Sequence, residues 1–320
     1  MKRKFARLGA VFLSIYLLTQ PANAATLLIP GGQVIGMHLQ DETVTVTDFD
    51  PTLGQAAKSA GLQTGDRLVA LNGSPIHSVE DLQALLQKTD GTVKLTVRRS
   101  GKLKHLTLRP AITEDGPKLG VYLRAGTTGL GTVTYYTAQG EYGALGHGVN
   151  DAAGKLLEIN GGEIYAARVT GVKKGAIGTP GQLLGSVTSQ APLAKLEKNT
   201  AQGVFGGDLE NKATALPAAE KSEIKTGSAT IRATVSDAAP REYSVEILKI
   251  YPNTAAKTRN FLLKVTDPAL LSTTGGIVQG MSGSPLVQDG KLIGAVTHVL
   301  VNDPTMGYGI FIENMLEAAG

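Results

Sequence analysis

The most chemically specific segment of this chain is Gly280-Met281-Ser282-Gly283-Ser284-Pro285. Glycines on both sides of a serine let the backbone turn tightly enough to project one hydroxyl. The serine's own N–H and that of the residue two before it can then point the same way. The turn therefore presents a nucleophile, Ser282, beside an oxyanion hole built from the amides of Gly280 and Ser282, one such donor being worth about 2.7–4 kcal/mol of barrier. A serine hydroxyl is a poor nucleophile until a base takes its proton, so the chemistry calls for a histidine. Of the five histidines, His147 and His298 lie in the same half of the chain as the turn. His147 sits in Gly143-Ala144-Leu145-Gly146-His147-Gly148, a glycine setting with no periodic packing face, and is the preferred base. His38, His77 and His105 are scattered, with no carboxylate or second histidine at ligand spacing, and read as satisfied or exposed. An acid must orient the imidazole, and Asp151, Glu158, Glu163, Asp208 and Asp267 are all candidates among which spacing does not choose. The chain has no Cys, which excludes thiolate nucleophiles, thiolate metal sites and disulfides. No metal or cofactor is expected.

These groups need a rigid frame, and the sequence predicts one that is mainly β. Forty glycines in 320 residues, with 5% aromatics, fit turn-rich strands better than packed helices. The length corresponds to about two domains. After Ser282, Leu286-Val287 and Leu292-Ile293 flank Asp289-Gly290 and should pair as a hairpin. Short runs at 132–136, 166–172, 229–235 and 243–247 read as strands of an antiparallel barrel or sandwich. Residues 212–222 read as a surface loop with a helical turn. Ahead of these, Val44–Val46, Arg67–Leu71 and 93–108 are strand-like. Ser78 is an N-cap for a helix whose Val79, Leu82, Leu85 and Leu86 share one face, closed by Gly91.

The first 24 residues are a separate unit. Lys2, Arg3, Lys4 and Arg7 precede an 11-residue apolar run from Leu8 to Leu18 and a small-x-small stretch at Pro21–Ala25. That run falls short of the roughly 20 residues of a membrane span and reads as an export leader cleaved after Ala24, with an uncleaved membrane tether as the alternative. Outside the leader the chain carries 27 basic and 27 acidic residues, so nothing in its charge calls for nucleic acid.

Gly61-Leu62-Gln63-Thr64-Gly65-Asp66-Arg67-Leu68-Val69-Ala70-Leu71-Asn72-Gly73 resembles the signature of bacterial PDZ domains. The resemblance implies a PDZ domain over 26–110, with Ile35, Gly36 and Met37 in its carboxylate-binding loop, where a peptide tail would add as a strand. The Ser282 turn and its hairpin resemble the nucleophile loop of chymotrypsin-like proteases, and in that resemblance His298 would line a specificity pocket. Met281 stands where digestive members carry an Asp, so activation by a freed N-terminus is not expected.

Taken together, Tyr142–Gly148, Val172–Gly175, Pro180–Leu183, Val265–Leu271, Gly275–Pro285 and Thr297–Val299 resemble the peptidase domain of the stage IV sporulation protein B family. This implies an N-terminal PDZ domain followed by a chymotrypsin-like antiparallel β-barrel at 111–320. The implied roles are Ser282 as nucleophile, His147 as base and Asp267 as acid. The resemblance further implies a serine endopeptidase exported into the forespore intermembrane space. There it would cleave a regulatory membrane protein and itself, leading to sigma-factor processing, with self-association through the PDZ domain. The competing reading is a non-catalytic secreted adaptor that binds protein C-termini through that domain.

Overall fold

In this computed structural model the described residues are 26–151, 154–254 and 257–320. The leader and its expected cleavage after Ala24 lie outside them. The first strands are β1 (Leu27–Pro30), β2 (Val34–Phe49) and β3 (Arg67–Leu71); helix α1 (Val79–Gln87), β4 (Val93–Arg99) and β5 (Lys102–Leu108) follow. Then come β6 (Val121–Tyr136), β7 (Tyr142–Ala144), β8 (Ile159–Lys173), β9 (Gln182–Leu196) and β10 (Gly203–Gly206). The last stretch holds β11 (Gly227–Ala233), β12 (Arg241–Ile250), β13 (Phe261–Val265), a short helix α2 (Pro268–Thr274), β14 (Pro285–Gln288), β15 (Lys291–Leu300), β16 (Asp303–Phe311) and helix α3 (Ile312–Ala319).

The chain is mainly β, with the PDZ elements ahead of a closed barrel, as expected. The barrel runs β11-β12-β13-β16-β15-β14 and closes on β11. Its core follows the two-residue strand period: Ile231 and Ala233, Val245 and Ile247, and Phe261, Leu263 and Val265 all point inward and are buried. The predicted hairpin is β14–β15; Asp289 and Gly290 both have positive φ (50° and 74°), the combination a two-residue type I′ turn requires. The predicted helix is α1, with the Ser78 hydroxyl accepting the Asp81 amide at 3.0 Å.

One long sheet joins the PDZ elements to the rest. β2 pairs antiparallel with β6 along nearly its whole length, from Val34↔Thr132 to Phe49↔Val121, with a register break between Leu39 and Val44. On either side of that break the ribbon serves different cores. Val44 and Val46 pack with Leu62, Leu82, Leu86 and Leu95, whereas Ile35, Met37 and Leu39 pack with Val133, Ala144, Leu145 and Ile164. Ile29, Ile35, Met37 and Leu39, in the stretch expected to open the PDZ domain, thus pack with residues of β6 to β10, and the PDZ core continues past 110 to Leu119. The alternating apolar pattern of β2 is the same before and after the break, so only the partner strands reveal the change of core.

The PDZ core is stapled by one buried ion pair. Asp66 is 0% exposed; Arg99 donates to both its oxygens at 2.6 Å and the Gln63 amide adds a third bond at 2.9 Å. Burial pushes the Asp66 carboxyl up, but the Arg99 and Gln63 hydrogen bonds outweigh it and hold the group below the usual carboxylate range. A carboxylate depressed in the folded state contributes stability above its unfolded pKa and loses it as pH falls through the folded one. Asp66→Asn should therefore destabilise residues 44–108 by about 2–3 kcal/mol at neutral pH, with the difference shrinking as pH falls through the depressed folded-state pKa, read by native-state hydrogen exchange at neutral pH and along an acid series.

Candidate active site

The nucleophile turn spans Gly280 to Ser284, between α2 and β14, and its shape depends on two left-handed glycines, Gly280 (φ 96°) and Gly283 (φ 94°). A Cβ at position 283 would lie 2.1 Å from the Thr132 carbonyl oxygen and 2.5 Å from the Leu145 amide, so the turn and the 144–147 loop meet at van der Waals distance there. β6 pins the turn at three points. The Thr132 hydroxyl donates to Gly280 O at 2.7 Å, the Thr132 amide to Ser282 O at 3.2 Å, and the buried Thr134 hydroxyl to Gly283 O at 2.8 Å.

The backbone donors of the turn divide into two groups. Gln279, Met281, Gly283 and Ser284 give their amides to Gly181, Val278, Val296 and Met281 carbonyls. Among the described residues the amides of Gly280 and Ser282 have no hydrogen-bond acceptor. These are the two donors that the sequence points to as an oxyanion hole, and an anionic oxygen is the partner such a pair is suited to receive.

Ser282 and His147 converge on one dipeptide, Thr297-His298 in β15. The Ser282 hydroxyl donates to the Thr297 carbonyl at 2.8 Å, and the His147 and His298 rings lie 5.2 Å apart, tilted by 39°. The loop that delivers His147 turns through two consecutive residues with φ of 68°, Leu145 and Gly146. A Cβ on Gly146 would lie 3.0 Å from the Thr297 methyl, so glycine is what lets the loop approach β15. His147 Nδ1 is 2.9 Å from Gly148 O. A carbonyl only accepts, so Nδ1 carries the proton and Nε2 keeps the lone pair that a base needs. Burial pushes the His147 pKa down, with the Gly148 bond opposing it in part. His298 is pushed down to about 4 by burial, then by the His147 and Arg259 charges.

Asp267 is not with them. It is the N-cap of α2: one carboxylate oxygen takes the Ala269 and Leu270 amides at 2.9 and 3.0 Å, and the other the Ser244 amide at 3.4 Å. A seven-residue helix opening with Pro268 needs such a cap, and the carboxylate is spent there rather than on the imidazole. The hydrogen bond at His147 Nδ1 is made by a backbone carbonyl instead. Of the other acids considered, Glu158 pairs with Lys155 and Glu163 accepts from the Tyr165 hydroxyl.

The expected carboxylate loop is also displaced. Ile35, Gly36 and Met37 lie mid-strand in β2, hydrogen-bonded into β6 on one side and β8 on the other, with Ile35 and Met37 buried. No strand edge is left there for a peptide. A cavity of about 570 Å³ lies elsewhere, between α1 and the start of β6, lined by Val79, Leu82, Leu86, Gly120, Val121 and Leu123. Its loop, Lys118-Leu119-Gly120-Val121, repeats the apolar-Gly-apolar pattern of Val34–Met37, and that repeat was the available signal. Gly120 (φ 67°) brings the chain against Leu53, where a Cβ would collide at 2.3 Å. The two threonines of β6 carried no motif and were not legible as site residues.

Thr134→Val leaves the buried Gly283 carbonyl without its donor. It should cost about 1–3 kcal/mol in urea unfolding and slow fluorophosphonate modification of Ser282 about tenfold.

Comparison with known proteins places this geometry in context. The family model described as SpoIVB peptidase S55 matches residues 115–316, and a PDZ domain model matches residues 51–99. A Pseudomonas putida protein named "Probable periplasmic serine endoprotease DegP-like" is 30% identical over 169 residues, 51% of this chain and 30% of its own. A Brucella suis protein named "Putative zinc metalloprotease" is 29% identical over 126 residues, 39% of this chain and 32% of its own. The chain spans about a third of the length of these curated relatives. The inactive form of the M. tuberculosis protease Rv3671c aligns at 14% identity over 60% of this chain and 84% of that one, with a TM-score of 0.35.

Proposed function

The chain belongs to the SpoIVB peptidase S55 family, and from that premise we propose that it is a serine endopeptidase acting through an acyl-enzyme on Ser282. The observation that carries the reading is the convergence of Ser282 and His147 on Thr297-His298 beside two uncommitted amides, Gly280 and Ser282. In the first half-reaction Ser282 Oγ leaves its bond to Thr297 O and attacks the substrate carbonyl carbon while its proton passes to His147 Nε2. The oxyanion is received by the Gly280 and Ser282 amides. The C–N bond then breaks, the leaving amine takes the proton from His147, and water, deprotonated by the same imidazole, hydrolyses the Ser282 ester.

The groove between α1 and β6 is proposed to hold an extended peptide tail of the substrate. Residues 121–123 of β6 pair with β2 along one edge, and their other edge faces α1 across the cavity. Family membership and the basic, apolar leader support the finer reading. In it, the exported enzyme cleaves a regulatory membrane protein and itself during spore formation, in the space between the forespore membranes. Self-association through the PDZ groove belongs to the same reading.

Residues 25–320 should label at Ser282 with a fluorophosphonate and yield self-cleavage fragments by mass spectrometry. Ser282→Ala and His147→Ala should each reduce peptide hydrolysis by about 10⁴-fold or more. Folded wild type that neither labels nor cleaves, yet binds peptide tails, would establish the adaptor reading instead. Because burial holds His147 below the ordinary imidazole value of about 6.5, the base stays unprotonated into mildly acidic solution, and the acid limb of kcat/KM should fall below that pH. Val79→Glu, which sets a negative charge in the groove, should weaken binding of an apolar C-terminal peptide about tenfold by fluorescence anisotropy and leave hydrolysis of a short peptide unchanged.

A further inference from the structure

Proton transfer to His147 creates an imidazolium in a half-buried site, where a cation without a compensating partner is costly. Asp267, the expected source of that compensation, is committed to the α2 cap. The side chain against the His147 ring is His298, at 5.2 Å between centroids. It stands opposite Tyr308 in the β15–β16 register, directly after the residue whose carbonyl holds the Ser282 hydroxyl. Its Nδ1 is buried and has no hydrogen-bond partner among the described residues. A buried polar atom left unpaired asks for a reason, and a bare lone pair is tolerated there better than an orphaned N–H.

The ring against His298, the residue opposite it in the register and the charge that acts on it point the same way. His147 comes from the 144–148 loop, Arg259 from the segment before β13, and Tyr308 from β16, with the Arg259 guanidinium 5.4 Å above the Tyr308 ring. Two of the three are cationic or become so, and both oppose protonation of His298. The ring is thereby kept as a neutral acceptor beside a histidine that must become charged.

We propose that His298 is the positioning residue of this site: a neutral imidazole that packs on His147, holds it towards Ser282, and meets its transient positive charge with the Nδ1 lone pair in place of a carboxylate. The proposal rests on the reading of Ser282 and His147 as nucleophile and base. It gives β15 two roles through adjacent residues, the Thr297 carbonyl for the hydroxyl and the His298 ring for the imidazole.

Three substitutions test it. His298→Phe keeps a ring without a lone pair, His298→Gln keeps an acceptor without the ring, and His298→Asp supplies the missing carboxylate. In wild-type background His298→Phe should lower the fluorophosphonate acylation rate about 10²-fold with KM for a peptide unchanged. His298→Gln should lie between, and His298→Asp should recover to within about tenfold of wild type while its acid limb moves to higher pH. In the Ser282→Ala protein, the His147 resonance followed by NMR should titrate about one pH unit higher with Asp at 298. His298→Phe acylating at the wild-type rate, or at the rate of His298→Gln, overturns the proposal. So does a His147 titration that His298→Asp leaves in place. The titration needs no catalysis, so if wild type fails to acylate at all the peptidase reading falls while the coupling between the two histidines is still decided.

Discussion

The site depends on three hydrogen bonds made by two residues of one strand. Thr132 and Thr134 of β6 bind Gly280, Ser282 and Gly283, and Thr132 O also receives the Leu145 amide at 3.2 Å. One strand thereby holds the nucleophile turn and the loop that ends in His147. Both segments are glycine-rich, with four positive-φ residues between them at 145, 146, 280 and 283, and glycine-rich backbone pays heavily in entropy to be ordered. Buried threonine–carbonyl bonds in a sheet of long strands offset that cost and fix where the Ser282 hydroxyl sits.

The electrostatics follow from burial without a carboxylate. His147 is depressed because its pocket disfavours the cation, and the Gly148 carbonyl recovers part of the loss while fixing the tautomer. In the triad with an acid, the carboxylate both orients the ring and balances its charge. In the proposed site those tasks fall to separate groups, the Gly148 carbonyl at His147 Nδ1 and the His298 imidazole against its ring. A base depressed in this way is a weaker proton acceptor, yet it remains available at lower pH.

The PDZ elements are not hung on a linker. β2 and β6 run from one core into the other, changing partners at the break between Leu39 and Val44 without leaving the ribbon. The same β6 lines the groove at 121–123 and pins the nucleophile turn at 132–134. Groove and turn are therefore joined by one strand, β6, and a peptide held in the proposed groove would have a defined direction towards the turn.

What the amino-acid sequence determined by itself was local. The Ser282 turn, the Asp289-Gly290 hairpin, the Ser78 cap and the face of α1 are each specified within a few residues by backbone conformation, capping or period, and each stands in the structure where the sequence put it. His147 was singled out because catalysis by serine demands a histidine and its glycine setting offered no other work, and the structure brings its ring to the strand that also holds the Ser282 hydroxyl. Tertiary structure alone decided the rest. Asp267 sits at a spacing compatible with both a catalytic and a capping carboxylate, and only the start of α2 settles which amides it meets. Ile35–Met37 and Leu119–Val121 carry the same pattern, and only strand pairing distinguishes a doubly hydrogen-bonded strand from a groove edge. Thr132, Thr134 and His298 act through partners far away in sequence or on another strand. Their roles depend on register, and register is a property of which strands meet, not of any single segment.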